Sequence, residues 1–241
     1  MKAVVVKGLT KFYAGHQALS GIDFEVDVGT SFALIGPNGA GKTTTIRIVS
    51  GLIRPTTGEV KVLGGDPSDW SVRSRVSILP EDAGVYEKLT VFESVYYFGL
   101  LRGMSKEEAI RGTERVISAL ELTERRNTQG AKLSKGLKRR TLLAMCLVSS
   151  PDLLILDEPT EGLDVRSARS VRQLLKGLVA RGTTVIMSSH NMAEIQDVAD
   201  KMAIIDRGRI VLSGGPRELL EATRLDSLED VFITYTTGGG E

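Results

Sequence analysis

The chain has 241 residues, 41% of them hydrophobic and 25% charged, an ordinary globular balance that can bury a substantial core without disulfides. Lysine and arginine number 31 against 30 aspartates and glutamates, which excludes the large positive excess of a chain that lives on nucleic acid; any basic patch must be local. Its one cysteine, Cys146, sits in the apolar run "TLLAMCLV" and reads as a small buried thiol in a reducing compartment.

The start, "MKAVVVKGL", passes directly into β-type alternation without the regions of a signal peptide, so no export signal is expected. "AVVV", "DFEVDV" and "SFALI" follow as short β-type segments separated by glycines, which predicts strands with tight connections. In "ALIGPNGAGKTTTIRI", Gly36, Gly41, Lys42 and Thr43 complete a phosphate-loop pattern between a predicted strand and a predicted helix. Polyphosphate needs many N–H donors at close range, and Gly36, Gly39 and Gly41 let the backbone wrap it; Pro37, Asn38 and Ala40 complete the loop. Lys42 would reach the terminal phosphate oxygens, Thr43 would ligate Mg²⁺, and Thr44 would help with the α-phosphate, with the helix N-terminus adding partial positive charge.

Helices are predicted between the middle strands. "TVFESVYYFGLLRG" opens with Thr90 and Glu93 and "SKEEAIRGTERVISALEL" with Ser105 and Glu108, two capping boxes; Ala109, Val116 and Leu120 fall on one face of the second. No apolar run approaches the roughly 18 to 20 residues a membrane-spanning helix needs; "VYYFGLL" and "LLAMCLV" are the longest. The stretch "LSKGLKRR", Leu133 to Arg140, admits two readings: a basic patch for nucleic acid, or a helix start waiting for a phosphate. Ser134 is a good N-cap and Gly136 admits an anion; Lys135 and Lys138 then face the positive end of the dipole, disfavoured by about 0.3 to 1 kcal/mol per exposed charge until an anion arrives.

"DLLILDEP" is an apolar strand ending in acids, "SARSVRQLLKGLVARG" is helical, and "TTVIMSSH" is another buried strand, so βαβ units and a parallel sheet are expected. Asp157 and Glu158 lie at the ligand-facing end of their strand, where Asp157 would hold Mg²⁺ and Glu158 would act as general base. His190 ends the next strand on the same edge, whereas His16 is expected exposed in a loop. "KMAIIDRGRIVLSGG" reads as a hairpin turning at Arg207-Gly208, and Gly238 to Gly240 are expected to fray.

With these motifs in this order, the sequence resembles the ATP-binding cassette (ABC) ATPases over nearly its whole length. The resemblance implies a P-loop NTPase (RecA-like) α/β core with a mostly parallel central sheet, an N-terminal antiparallel β-subdomain and an inserted α-helical subdomain. It divides one domain into a core at 1–81 and 150–226, a helical segment at 82–149 and a tail at 227–241. It assigns Tyr13 to stacking on adenine, with Phe12 packing inside; Asp164 to a loop crossing a dimer interface; His190 to the γ-phosphate; and Ser134 and Gly136 to ATP bound by the opposite subunit. Two positions depart from the family pattern: Glu81 stands where glutamine is usual and is given a role at Mg²⁺, and Lys135 and Leu137 replace glycine and glutamine in the signature.

The family includes transport motors and soluble members that act on DNA or ribosomes. "LPEDAGVYEKLTVFESV", "LSKGLKRR" and "SLEDVFITYTTGG" look like cassettes of bacterial and archaeal multidrug, antibiotic or lipid exporters. That implies a motor that binds ATP and Mg²⁺, dimerises with itself or a paralogue, and serves a separate transmembrane permease from the cytoplasmic face of the membrane. No nucleic-acid partner is expected; the alternative is a soluble, non-transport ABC ATPase.

Overall fold

The computed structural model describes residues 1–236; the glycines at 238–240, expected to fray, lie outside the described residues. The chain opens with β1 (Lys2–Tyr13), β2 (His16–Asp27), β3 (Ser31–Ile35) and α1 (Lys42–Val49), followed by β4 (Thr57–Val62), α2 (Trp70–Arg73) and β5 (Val76–Leu79). Helices α3 (Val91–Leu101), α4 (Lys106–Ala119) and α5 (Lys135–Leu147) form the middle. Then come β6 (Leu153–Asp157), α6 (Val165–Ala180), β7 (Thr184–Ser188), α7 (Met192–Val198), β8 (Lys201–Asp206), β9 (Arg209–Gly214), α8 (Pro216–Thr223) and α9 (Leu228–Thr236).

Two sheets result. β1 pairs antiparallel with β2 and β4, and a six-stranded sheet has the order β5-β6-β7-β3-β8-β9, parallel except for β9. The parallel strands read as unbroken apolar runs because both their faces are covered. Successive side chains alternate between two cores: Phe32, Leu34, Leu153, Ile155 and Ile186 face α1 and the small sheet, while Ala33, Ile35, Leu154, Leu156, Val185 and Met187 face α3 to α7. Phe24 of the small sheet stacks on Phe32 of the large one at 5.3 Å between ring centroids. Truncating one of these side chains, Leu154 for instance, which is fully buried, costs about 2–5 kcal/mol.

The capping boxes form as the sequence predicts. Thr90 Oγ1 accepts from Glu93 N and Glu93 accepts from Thr90 N; Ser105 and Glu108 do the same. The hairpin also turns where expected, with Arg207 and Gly208 both at positive φ. Three expectations change. Gly8 and Gly21 do not separate short strands: they lie inside two 12-residue strands, at φ +54° and +83°, where the β1–β2 register slips and the ribbon can bulge without breaking. His16 is exposed, as expected, but as the first residue of β2, directly opposite Tyr13. Phe12 is 48% exposed rather than packed inside, because the end of the β1–β2 ribbon projects past both cores.

Candidate phosphate-binding site

β3, β6 and β7 end on one edge of the large sheet, and the loops that follow them converge. One cleft of about 800 Å³ is lined by Tyr13, Gly36 to Gly39, Gly41 to Thr44, Glu81, Asp157, Glu158 and His190. Ala40 is buried beneath the loop. Open α/β sheets place their ligands at this carboxyl edge.

The loop's backbone explains its glycines. Gly41 caps α1 at φ 113°, and a Cβ there would lie 2.8 Å from Ala18 O; at Gly36 a Cβ would lie 2.1 Å from Ile205 O. α1 has no side-chain N-cap and no acid in its first turn, so its leading N–H groups are left for a ligand. Lys42 Nζ folds across the loop and donates to Gly36 O at 2.6 Å and Pro37 O at 3.1 Å. Burial lowers its pKa, opposed by the charges of Glu158, Asp157 and Glu81.

Asp157 is 2% exposed and accepts from Thr43 Oγ1 at 3.2 Å on one carboxylate oxygen and from Ser188 Oγ on the other. Hydroxyl beside carboxylate is the oxygen donor set that a hard divalent cation such as Mg²⁺ accepts. Among the described residues there is no cluster of three or more His, Cys, Asp or Glu that could hold a metal ion.

Glu158 adopts φ +50°, a left-handed conformation unusual for a residue with a side chain, and its N–H donates to Ser188 Oγ at 3.1 Å. That backbone turns its carboxylate into the cleft, where Oε2 lies 2.9 Å from Nδ1 of the exposed His190. The hydrogen bond from His190, and then the negative charge of Glu158, raise the histidine's pKa.

Ser134, Gly136 and Asp164 are not brought to this cleft. Ser134 caps α5, accepting from Leu137 N at 3.4 Å, beside a separate surface hollow shared with Leu137 and Arg140. Asp164 caps α6, accepting from Ser167 N at 2.9 Å and Ser167 Oγ at 2.7 Å. The chain of Lys135 crosses Gly162 and enters a second cleft, of about 650 Å³, that shares Thr43, Glu81 and Asp157 with the first.

Sequence reasoning missed several groups at the site. Arg139, counted only as part of a basic stretch, is 7% exposed and donates to the carbonyls of Asp157, Glu158, Pro159 and Pro80. Its position three and four residues before Leu142 and Leu143, on the apolar stripe of α5, was the available signal. Glu194, fully buried, accepts from Thr160 Oγ1 and Ser189 Oγ and so ties the loop after Glu158 to the loop before His190. His16 and, from α9, Phe232 also line the cleft.

A glycine cradle at a helix N-terminus, a buried aspartate beside the helix's threonine and a glutamate–histidine pair across the mouth define a P-loop nucleoside triphosphatase fold. The ABC transporter family profile matches residues 19–161. The daunorubicin/doxorubicin resistance ATP-binding protein DrrA of Streptomyces peucetius is 39% identical over 90% of this chain and 67% of its own length. The linearmycin resistance ATP-binding protein LnrL of Bacillus subtilis is 34% identical over 97% and 74%. Among solved structures, an ATP-binding subunit of an ABC transporter aligns at TM-score 0.88 and 29% identity, covering 97% of this chain and 99% of that one. A dimeric ATP-binding cassette in a post-hydrolysis state bound to ADP and Pi aligns at TM-score 0.81 and 24% identity, covering 88% and 98%, a likeness of fold. The chain belongs to the ABC transporter family, as an ATP-binding and ATP-hydrolysing subunit.

Proposed function

We propose that this ATPase drives an exporter, working as a head-to-tail dimer on the cytoplasmic face of a membrane through a separate permease chain. Two relatives are named for drug or antibiotic resistance and another, from Cupriavidus metallidurans, for Nod factor export, which supports the direction. No helix among the described residues is long and apolar enough to cross a membrane, which agrees with a separate membrane partner. Exposed Tyr86, Tyr97 and Leu101, on α3 or shortly before it, suit such a partner. The helical segment at 82–149 is then the part that docks it, within one ATPase domain.

The observation that carries the reading is the convergence of Lys42, Thr43, Asp157, Glu158 and His190 on one sheet edge. Tyr13, an exposed residue of the cleft's lining, stacks on adenine. Backbone N–H groups from Gly36 to Thr44 receive the phosphates, and the Lys42 ammonium exchanges its two carbonyl acceptors for phosphate oxygens, a stronger charged pair. Thr43, Asp157 and Glu81 would hold Mg²⁺, which would supply charge neutralisation on the phosphate oxygens. Glu158 orients the attacking water and takes its proton. His190 holds that carboxylate through Nδ1 at 2.9 Å, and transfer of the histidine to a γ-phosphate would free the base. Ser134 and Gly136, remote from their own cleft, meet the ATP of the opposite protomer, and Asp164 lies in the loop between the two.

The test is Glu158→Gln. Steady-state phosphate release is expected to fall by about 10²- to 10⁴-fold, the usual worth of a general base, while an ATP-bound dimer accumulates on size-exclusion chromatography. A Gln variant that stays monomeric under saturating ATP and Mg²⁺ would remove the dimer mechanism.

A further inference from the structure

The side chain of Arg139 fastens helix α5 to the main chain at the end of β6. Arg139 lies five residues after Ser134, so about 7.5 Å along the axis and about 140° round it. Ser134 therefore lies on a different side of the helix from Arg139, whose guanidinium reaches the main chain of Asp157 and Glu158. All four acceptors of the guanidinium are main-chain carbonyls: Asp157 and Glu158 at the end of β6, Glu158 at 2.6 Å, then Pro159 at 3.3 Å and Pro80 at 3.4 Å. Pro80 is the residue before Glu81, so one planar fork holds the backbone of Glu158 and of the loop that carries Glu81. Nothing smaller does this: a lysine offers three donors at one point and cannot span four carbonyls in two loops. The left-handed φ of Glu158 is where such bracing matters, since strain of that kind persists only where the surrounding structure holds it; Ser188 holds the N–H side and Arg139 the carbonyl side.

We propose that Arg139 is a positioning residue for hydrolysis, which links the phosphate contact at the start of α5 to the placement of Glu158 in the same chain. The inference rests on the dimer reading above. In that dimer the start of α5 touches the partner's ATP while Glu158 serves the chain's own ATP, so Arg139 makes one helix a mechanical link between the two sites.

Arg139→Lys keeps the charge and removes the fork. In the full chain kcat is expected to fall by about tenfold or more with KM for ATP changed less than about threefold, a split that general destabilisation does not produce. Mixed dimers then locate the effect. With Glu158→Gln in the protomer opposite to Arg139→Lys, the one working base sits in the unbraced chain, and turnover should be low. With both substitutions in the same protomer, the working base keeps its own arginine, and turnover should be about fivefold or more higher. Equal turnover in the two mixed dimers, or an unchanged kcat in Arg139→Lys, overturns the proposal. If the lysine variant melts too low to assay, the Arg139 Nε resonance of the otherwise native chain must shift on ATP-driven dimerisation; a resonance that does not move overturns it equally. A parent chain that fails to dimerise with ATP defeats the dimer reading itself, whereas a parent that dimerises beside a fully active Arg139→Lys defeats this inference alone.

Discussion

The N-termini of α1 and α3 are built in opposite ways. α3 is finished by its own sequence: Thr90 and Glu93 exchange hydrogen bonds, and the backbone N–H of Thr90 lowers the pKa of Glu93 by favouring its charged form. α1 has a glycine for a cap, a lysine for its first residue and no acid in its first turn. The first helix end is satisfied in isolation; the second is completed only by an anion from outside. α5 stands between them, capped by Ser134 but likewise without an acid in its first turn. The capping boxes of α3 and α4 thus close helix ends within their own sequence, whereas the start of α1 carries neither a side-chain cap nor an acid.

Damage at the two ends should differ in kind. The largest effect is expected from Lys42→Ala, which removes charge-assisted hydrogen bonds worth about 1.5–3 kcal/mol and should weaken ATP binding by roughly 10- to 150-fold in a fluorescent-nucleotide titration. Its melting temperature should hardly move, because Lys42 bonds only to carbonyls of its own loop. Thr90→Ala inverts the pattern: a loss of about 0.5–2 kcal/mol, read by calorimetry as roughly 2–4 °C per kcal/mol for a chain of this size, with ATP affinity unchanged. A Thr90→Ala variant that bound ATP weakly would break the contrast.

A smaller effect follows from the glutamate that waits at the open end. His190 has its pKa raised above the ordinary value of about 6.5 by Glu158. The folded state therefore gains from protonation below that ordinary value and loses the gain as pH rises through the raised one. Titrating the chain's two histidines by NMR should show His190 above its ordinary value, and Glu158→Gln should bring it back; an unmoved midpoint in the Gln variant would mean the pair does not form in solution. The smallest effect belongs to Lys135→Gly. Relief of a cation at the dipole's positive end, about 0.3–1 kcal/mol, is set against a glycine's helix penalty of about 1 kcal/mol, so melting should change little. A large gain in ATP-driven dimerisation would show that Lys135 obstructs the partner's phosphate.

The finished ends were legible in the sequence because capping boxes, the Arg207-Gly208 turn and the phosphate loop are local: their partners lie within a few residues. The two cores were legible in outline from apolar runs. Arg139 and Glu194 were not, because what they bind lies 18 to 59 and 5 to 34 residues away and consists of main-chain carbonyls and hydroxyls. A carbonyl belongs to every residue and leaves no mark in a sequence. The continuity of β1 and β2 was hidden for a related reason, since a glycine that ends a strand and one that bulges it look alike. Phe12 was misplaced because the overhang of a ribbon depends on what fails to pack over it.

Cys146 has a practical bearing. It is the only cysteine in the chain, it is 4% exposed, and burial pushes its thiol up to about 12. Thiolate is the species that maleimides and disulfide reagents capture, so the native protein is a nearly silent background for labelling. Paired probes can be introduced at Ser134 and on α6 of a second copy without removing the natural thiol, and reaction at Cys146 itself becomes a clock for unfolding.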